Sequence, residues 1–394
     1  MSTVRHLDVD DKVCDKMSLA WVQTVYPPEL LARCLQQSTH WRSKKRRVRH
    51  FSAVSVIYLL IAMALWSRLS QLHIWKKLVL GVLDLHPNEH LRLPGASAIS
   101  NRRHALGAEP LRELFEARCQ LLCEATTPTA FFRGLRIMAI DGTLFSVADT
   151  PENEQAFGRS SNQYGKGAYP QVRAVVLVEC ASHAVVRVAL YGYHKSETHG
   201  AQAMLAGIQE GMLVTHDAGL FSGGLWEQIV ERKAHALSPV SKGMLEQQGT
   251  TLADGSKQVL LQPNRSAVYP MSKPLWARVL SYRITDARLG ELGDISRLAT
   301  TLLDPQTDPA LALIAISHEC WEVEIVLDEI KTHERAQVKV LRSQTPEGVR
   351  QELYGIFLAH YAVRVLLFET AREAGVAPDR LRFTEGIFLL CNPH

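Results

Sequence analysis

The chain has 394 residues, 46% of them hydrophobic and 21% charged, enough to bury a sizeable core and to exclude a wholly disordered or fibrous protein. Its formal charge of +4 is too small to identify a nucleic-acid partner by itself. Seven cysteines without a C-x-x-C pair exclude a zinc ribbon and suit a reducing, cytoplasmic compartment, and the charged stretch Met1 to Asp11 has no apolar core of the secretory-signal kind.

Residues 1–130 read as a helical N-terminal domain. It opens at Pro27-Pro28-Glu29-Leu30-Leu31, where proline and an early acid suit the free amides of a helix start. Ala53 to Leu69 is an apolar helix; its uncharged run of roughly 14 residues falls short of the ~20 needed to cross a bilayer, so it is expected to be buried. Ile74 to Leu85 is amphipathic, Ser97 is placed to cap the helix containing Arg102 and Arg103, and Pro110 to Glu124 supplies another helix. Before them, residues 42–50 carry six cations in nine positions, among them Lys45, Arg46 and Arg47. That density favours a polyanion, although charge runs also serve as solvated linkers. Arg102 and Arg103, near a helix start, are spaced to enter a major groove.

Near residue 131 the texture changes to β/α. Leu135 to Ile140 reads as a strand ended by an Asp141-Gly142 turn. Val172 to Cys180 and Val185 to Tyr191 form a hairpin around Ala181-Ser182-His183, Glu197 to Glu210 is helical, and Met212 to Val214 is a strand running into His216-Asp217 before the helix Gly224 to Lys233. Residues 248–304 are β-rich, with strands at Gln258 to Leu261, Ala277 to Ile284 and Ala299 to Leu303, and read as an insertion. Two long helices follow, Pro309 to His333 and Gly348 to Ala374. The architecture is therefore α/β, with core segments 131–247 and 305–375 and a short tail, 376–394.

Three carboxylates stand out. Asp141 and Asp217 each close an apolar strand, and ligands gather at strand ends in open sheets. Each motif alone is also an ordinary turn. On the Pro309 helix, Ser317, Cys320, Glu324, Asp328 and Lys331 share one face at offsets of three or four, a pattern equally compatible with a solvated surface. Together, two strand-end aspartates and a helix glutamate make an oxygen-donor set for two Mg²⁺ ions, with Mn²⁺ as a substitute, and Lys331 at the rim suits a phosphate. His216 is positioned to orient the Asp217 carboxylate. His194 and His199 lack metal-site spacing, and neither a G-x-S-x-G nor a P-loop occurs.

With these residues in hand, the chain resembles the insertion-sequence-4 family of bacterial D-D-E transposases along nearly its whole length. The resemblance lies in Pro27-Pro28-Glu29-Leu30, in Ser97 to Arg103, in Phe132 to Thr143 around Asp141, in Asp217-Ala218-Gly219-Leu220, and in Trp321 to Glu324 through Asp328 to His333. It implies a ribonuclease-H-like catalytic core with a β-rich insertion, preceded by an all-helical DNA-binding domain. It makes Asp141, Asp217 and Glu324 the catalytic, metal-binding carboxylates. It also implies cut-and-paste transposition through a hairpin intermediate, acting on the terminal inverted repeats and target sites of double-stranded DNA. A homodimer in a synaptic complex, a cytoplasmic, nucleoid-associated location and no membrane go with it.

The family's helix motif, Y-x2-R-x3-E-x6-K, keeps Glu324 and Lys331 here, but Ser317 and Cys320 stand where tyrosine and arginine are expected, and Ala218 replaces an arginine. The sequence ends soon after Leu389-Leu390-Cys391, earlier than relatives of this kind, as a truncation would produce. These departures define an alternative, an impaired remnant that binds element ends without cutting. A third reading is an unrelated Mg²⁺ nuclease that cuts but never joins.

Overall fold

A computed structural model describes residues 20–42, 52–82, 96–163, 165–241, 243, 249–264, 269–283, 285–286, 291–292, 294–319, 326–333 and 340–391. In the helical N-terminal part, α1 (Pro28–Gln37) begins with Pro28 in its first turn behind Pro27, where the missing N–H removes no helical bond. Next, α2 (Ala53–Leu65) is capped by Ser52, whose hydroxyl accepts the Ser55 amide at 3.1 Å, and it is buried along nearly its whole length. It is followed by α3 (Gln71–Val82), α4 (Ala96–Leu106) and α5 (Glu109–Arg118). Ser97 lies inside α4 rather than capping it. The helix expected to reach Glu124 stops at Arg118, because the amides of Leu122 and Cys123 turn away to donate to the buried Glu179 carboxylate at 2.9 and 3.0 Å.

The chain then lays down β1 (Leu135–Val147), α6 (Pro151–Phe157), β2 (Gln171–Glu179), β3 (Ala184–Gly192), α7 (Glu197–Met204), β4 (Met212–His216), α8 (Gly223–Glu231) and β5 (His235–Pro239). In the sheet these strands lie in the order β3-β2-β1-β4-β5. Strand β2 is antiparallel to both β3 and β1, whereas β4 and β5 run parallel to β1. An antiparallel three-stranded meander extended by parallel strands reached through helical crossovers is the ribonuclease-H-like arrangement.

The β-rich stretch contributes β6 (Gly249–Thr251), β7 (Lys257–Leu261), β8 (Leu275–Tyr282) and β9 (Ser296–Thr300). They do not stand apart as a second sheet. Ala299 on β9 pairs with Ser238 on β5, and β8, β7 and β6 continue the central sheet outward in that order. The last elements are α9 (Ala310–Glu319), α10 (Pro346–Ala374) and α11 (Phe383–Cys391).

Two-residue alternation divides β1 between two cores. Met138 and Ile140 pack with α7 and α8 residues such as Ala201, Met204 and Trp226. On the other face Ala139, Phe145 and Val147 join α2 and α10 in the largest apolar cluster. The helical N-terminal part thus shares a core with the sheet. At its centre α2 and α10 approach so closely that a Cβ on Gly355 would lie 2.6 Å from the Leu60 carbonyl oxygen. Alanine in a helix interior is favoured over glycine by roughly 0.5–1 kcal/mol, but forcing a methyl group into a filled core typically costs about 1–3 kcal/mol. A rigid backbone neighbour makes the second effect win. Gly355→Ala is expected to lower stability by about 1–2 kcal/mol, read from the midpoint of urea unfolding; an unchanged or raised midpoint would contradict this packing.

Candidate active site

Asp141 is not on a turn. Hydrogen bonding to β2 continues from Met138↔Glu179 to Ser146↔Gln171, so β1 runs straight through Asp141-Gly142 to Val147. What ends here is the other neighbour: β4 pairs with β1 only as far as Ile140↔His216. Asp141 is therefore the first residue of β1 with a free edge on the β4 side, and its Oδ1 accepts the Gly142 amide at 2.6 Å. Asp217 follows His216 with an extended backbone (φ −61°, ψ 155°), which carries the strand alternation one residue further. Residues at equal height on adjacent parallel strands point the same way, about 4.8 Å apart between strands. Asp141 and Asp217 therefore occupy neighbouring positions on one face of the sheet, the first half-buried and the second exposed.

Gly142 points to the opposite face, where a Cβ would meet the Glu197 Cγ at 2.8 Å. Glu197, at the start of α7, pairs with Arg173. This packing explains the glycine beside Asp141 without any turn.

His216 does not orient the Asp217 carboxylate as expected. Its Nε2 accepts from Trp226 Nε1 at 2.9 Å, so the ring proton is on Nδ1, which donates to the Asp217 carbonyl at 2.9 Å. The imidazole fixes the backbone that carries the acid. Burial pushes the His216 imidazole down to about 4, against the opposing pull of the Asp217 carbonyl and charge. No sequence pattern announces this clamp, although a tryptophan ten positions on, one turn into α8, is its source.

Glu324 and Cys320 lie outside the described residues. The segments on either side of them pack on the face that carries the two aspartates. Leu313 and Ile316 of α9 contact Ile137, Leu213 and Leu237, and Val326, Leu327 and Ile330 join Ala139 and Phe145. The long helix expected from Pro309 to His333 is not regular within its described parts: α9 is followed, after residues 320–325, by a helical turn that becomes π-helical over Glu329–His333. Single π turns inside helices occur frequently at functional sites. Lys331 emerges from this turn with Nζ 6.0 Å from the centroid of Phe145, four residues along β1 from Asp141 and on the same face.

The donor set can be judged from its chemistry. Both nitrogens of His216 are engaged, leaving carboxylate oxygens, the ligands preferred by hard divalent cations. Among the described residues no group of three His, Cys, Asp or Glu side chains is arranged to hold a metal ion; of the three proposed carboxylates, two lie within the described residues and Glu324 outside them.

The basic candidates divide. Lys45, Arg46 and Arg47 lie outside the described residues. Arg102 is half-buried, its guanidinium 5.7 Å from the Trp41 ring. Arg103 is not a groove-reading residue in this fold: only 8% exposed, it donates to Ser343 Oγ at 3.1 Å and ties α4 to the connection that leads into α10. Spacing alone did not separate the two arginines, because which face of α4 meets α10 depends on contacts more than 200 residues away.

This frame is that of a transposase catalytic domain. Residues 133–362 match the family model described as the transposase DDE domain, and residues 16–116 match the insertion element 4 transposase N-terminal region. The transposase InsG for insertion sequence element IS4 of Escherichia coli (strain K12) is 30% identical over 366 residues, covering 91% of this chain and 79% of that protein. InsZ of the same strain is 26% identical over 271 residues, 66% of this chain and 87% of that one. Among solved structures, a piggyBac transposase synaptic complex with hairpin DNA aligns at a TM-score of 0.47 with 12% identity, over 95% of this chain and 79% of that one. The chain belongs to the insertion-sequence-4 family of DDE transposases and acts in DNA transposition. With matches to both the N-terminal and the DDE models, a remnant that only binds ends is not the favoured reading.

The His216 clamp makes a pH prediction. A histidine whose folded value is depressed to about 4 from roughly 6.5 unfolded stabilises fully above the unfolded value, and this contribution is lost as pH falls through the window between them. The loss approaches roughly 3 kcal/mol at the acid end. Urea unfolding of the wild type and of His216→Asn at pH 7 and pH 4.5 is expected to show a clearly smaller acid loss in the variant. Parallel losses would mean that His216 is not held neutral.

Proposed function

We propose that the chain cuts and rejoins double-stranded DNA at the ends of an insertion element by phosphodiester hydrolysis and strand transfer, with Asp141, Asp217 and Glu324 as the carboxylates that hold two Mg²⁺ ions, Mn²⁺ substituting. The observation that carries this reading is the register of β1 and β4, which sets Asp141 and Asp217 side by side on one face where the parallel pairing stops. When bound, the ions supply charge to polarise the phosphate and to lower the pKa of the attacking water. The protein's part is placement. Pairing with Val176 of β2 fixes the Asp141 backbone, and His216 holds the Asp217 carbonyl so that the acid stays at the strand end. Lys331, with its cation beside Phe145, is suited to meet a phosphate oxygen as a point charge.

DNA contact by the helical N-terminal part falls on Arg102 and on the basic stretch containing Lys45, Arg46 and Arg47. Two element ends handled together imply a homodimer, one site per end, and a protein acting on bacterial DNA works in the cytoplasm.

Single-turnover cleavage of a duplex carrying the element's terminal inverted repeat tests this. Asp141→Asn, Asp217→Asn and Glu324→Gln are each expected to slow cleavage by on the order of 10⁴-fold, as loss of one member of a catalytic unit does, while end binding persists. Joining of the cut 3′ end to a target plasmid separates a transposase from a nuclease. Cleavage without joining, or variants that cut normally, would refute the assignment.

A further inference from the structure

A second group of ionisable side chains lies inside the protein, away from the two aspartates. Glu329, His360, Arg364 and His183 are 4%, 0%, 2% and 4% exposed. The Glu329 carboxylate is divided between its partners: one oxygen takes the Arg364 guanidinium, and the other faces His360 Nε2 at 3.2 Å. His360 and Arg364 are four residues apart, on one face of α10. Arg364 also donates to His183 Nδ1 at 2.8 Å, at the turn between β2 and β3, where His183 adopts a left-handed backbone (φ 57°). Phe383 of α11 covers the group, with its ring centroid 4.9 Å from that of His360 and 5.1 Å from the Arg364 guanidinium. Burial by itself would raise the Glu329 carboxyl, but the His360 imidazole and the charge of Arg364 hold it well below the ordinary carboxylate range. The acid is thus ionised and locked to a cation.

Stability does not account for such a group, because apolar residues of similar volume commonly replace a buried ion pair without loss. Direction does. The other inward residues of the segment, Val326, Leu327 and Ile330, make apolar contacts, which are non-directional and tolerate rotation or sliding. Glu329 adds contacts with fixed geometry from two turns of α10, at the first residue of the π turn that two positions later presents Lys331.

We propose that Glu329, clamped by Arg364 and His360 and backed by His183, is a positioning residue that sets the rotation and register of segment 326–333 over the sheet, and with it the placement of Lys331 beside the Asp141 edge. This rests on the site described under Proposed function. The clamp joins three parts of the chain that are distant in sequence: the β2–β3 turn, the segment following Glu324, and α10.

The test is the double substitution Glu329→Met with Arg364→Met, which removes both charges together and leaves neither buried alone. It is expected to melt at or above the wild-type Tm and to bind inverted-repeat DNA with unchanged Kd. Its single-turnover cleavage rate is expected to fall by about 10²-fold, the scale of an ångström-sized misplacement, with a raised half-saturating Mg²⁺ concentration. Arg364→Lys, which keeps the charge and loses the planar fork, is expected to lie between the two and decides the matter if the double variant does not fold. Wild-type cleavage by the folded double variant, or by Arg364→Lys if that alone folds, overturns the proposal. Glu324→Gln run alongside separates the two levels: if it cuts normally, the reading of the active site has failed, whereas if it is inactive and the clamp variants cut normally, only the positioning role has failed.

Discussion

Parallel pairing between Leu135–Val147 and Met212–His216 is the constraint on which the rest of the site depends. Because β4 stops at His216 while β2 holds β1 to Ser146, a notch opens on one side of the central strand, and an aspartate stands on each side of it. Extended backbone then dictates that both acids face the same way. Nothing has to bend to bring them together; the sheet does it through hydrogen bonds that are buried and paired. The cost of placing two like charges next to each other is moderated by the exposure of Asp217, and a bound cation reverses its sign.

The helical N-terminal part is not an appendage on this sheet. Tyr26 donates to the Leu358 carbonyl at 2.7 Å, Trp21 to that of Ala362 at 2.9 Å, and Gln351 to those of Arg103 and Gly107. Each of these bonds ties the N-terminal part to α10, the helix that also holds Glu329. Arg103 belongs to the same set of ties. The helical N-terminal part is therefore joined to the sheet by direct packing and hydrogen bonds rather than by a linker, and α10 serves both as the spine of the core and as the anchor of the segment carrying Lys331.

Local pattern carried much of this into the sequence. Short apolar runs bounded by turn residues marked β1 to β4, Pro27-Pro28 marked α1, and the uncharged run after Ser52 marked a buried helix; each depends on neighbours within a few residues. What escaped depends on partners far along the chain. Asp141-Gly142 looks like a turn until β2 is seen to extend the strand, and the glycine answers to Glu197 rather than to a reversal of direction. That the β-rich insertion continues the central sheet depends on the pairing of β9 with β5, which no local pattern announces. Arg103 and Arg102 are indistinguishable by spacing. The one neglected local clue was Arg364, a charge inside the most apolar stretch of α10: a buried guanidinium demands a buried acid, and Glu329 is that acid.

The departures from the family's helix motif can be weighed on the same physical terms. Ser317 is half-buried near the end of α9, and Ala218 is exposed at the start of the turn after Asp217. Losing a charge-assisted contact to a DNA phosphate at such positions costs on the order of 1.5–3 kcal/mol. If the contact is equal in the bound complex and the transition state, that cost weakens binding and leaves the rate of the bound complex untouched. In the proposed mechanism the carboxylates and the Glu329 clamp act on the other quantity, the geometry of the reacting phosphate. On the proposed assignment, a chain that keeps the aspartate pair, Glu324, Lys331 and the buried clamp while lacking the tyrosine and arginine would give up grip rather than chemistry. Its deficit should shrink as DNA concentration rises, whereas a defect in the carboxylates would persist at saturation.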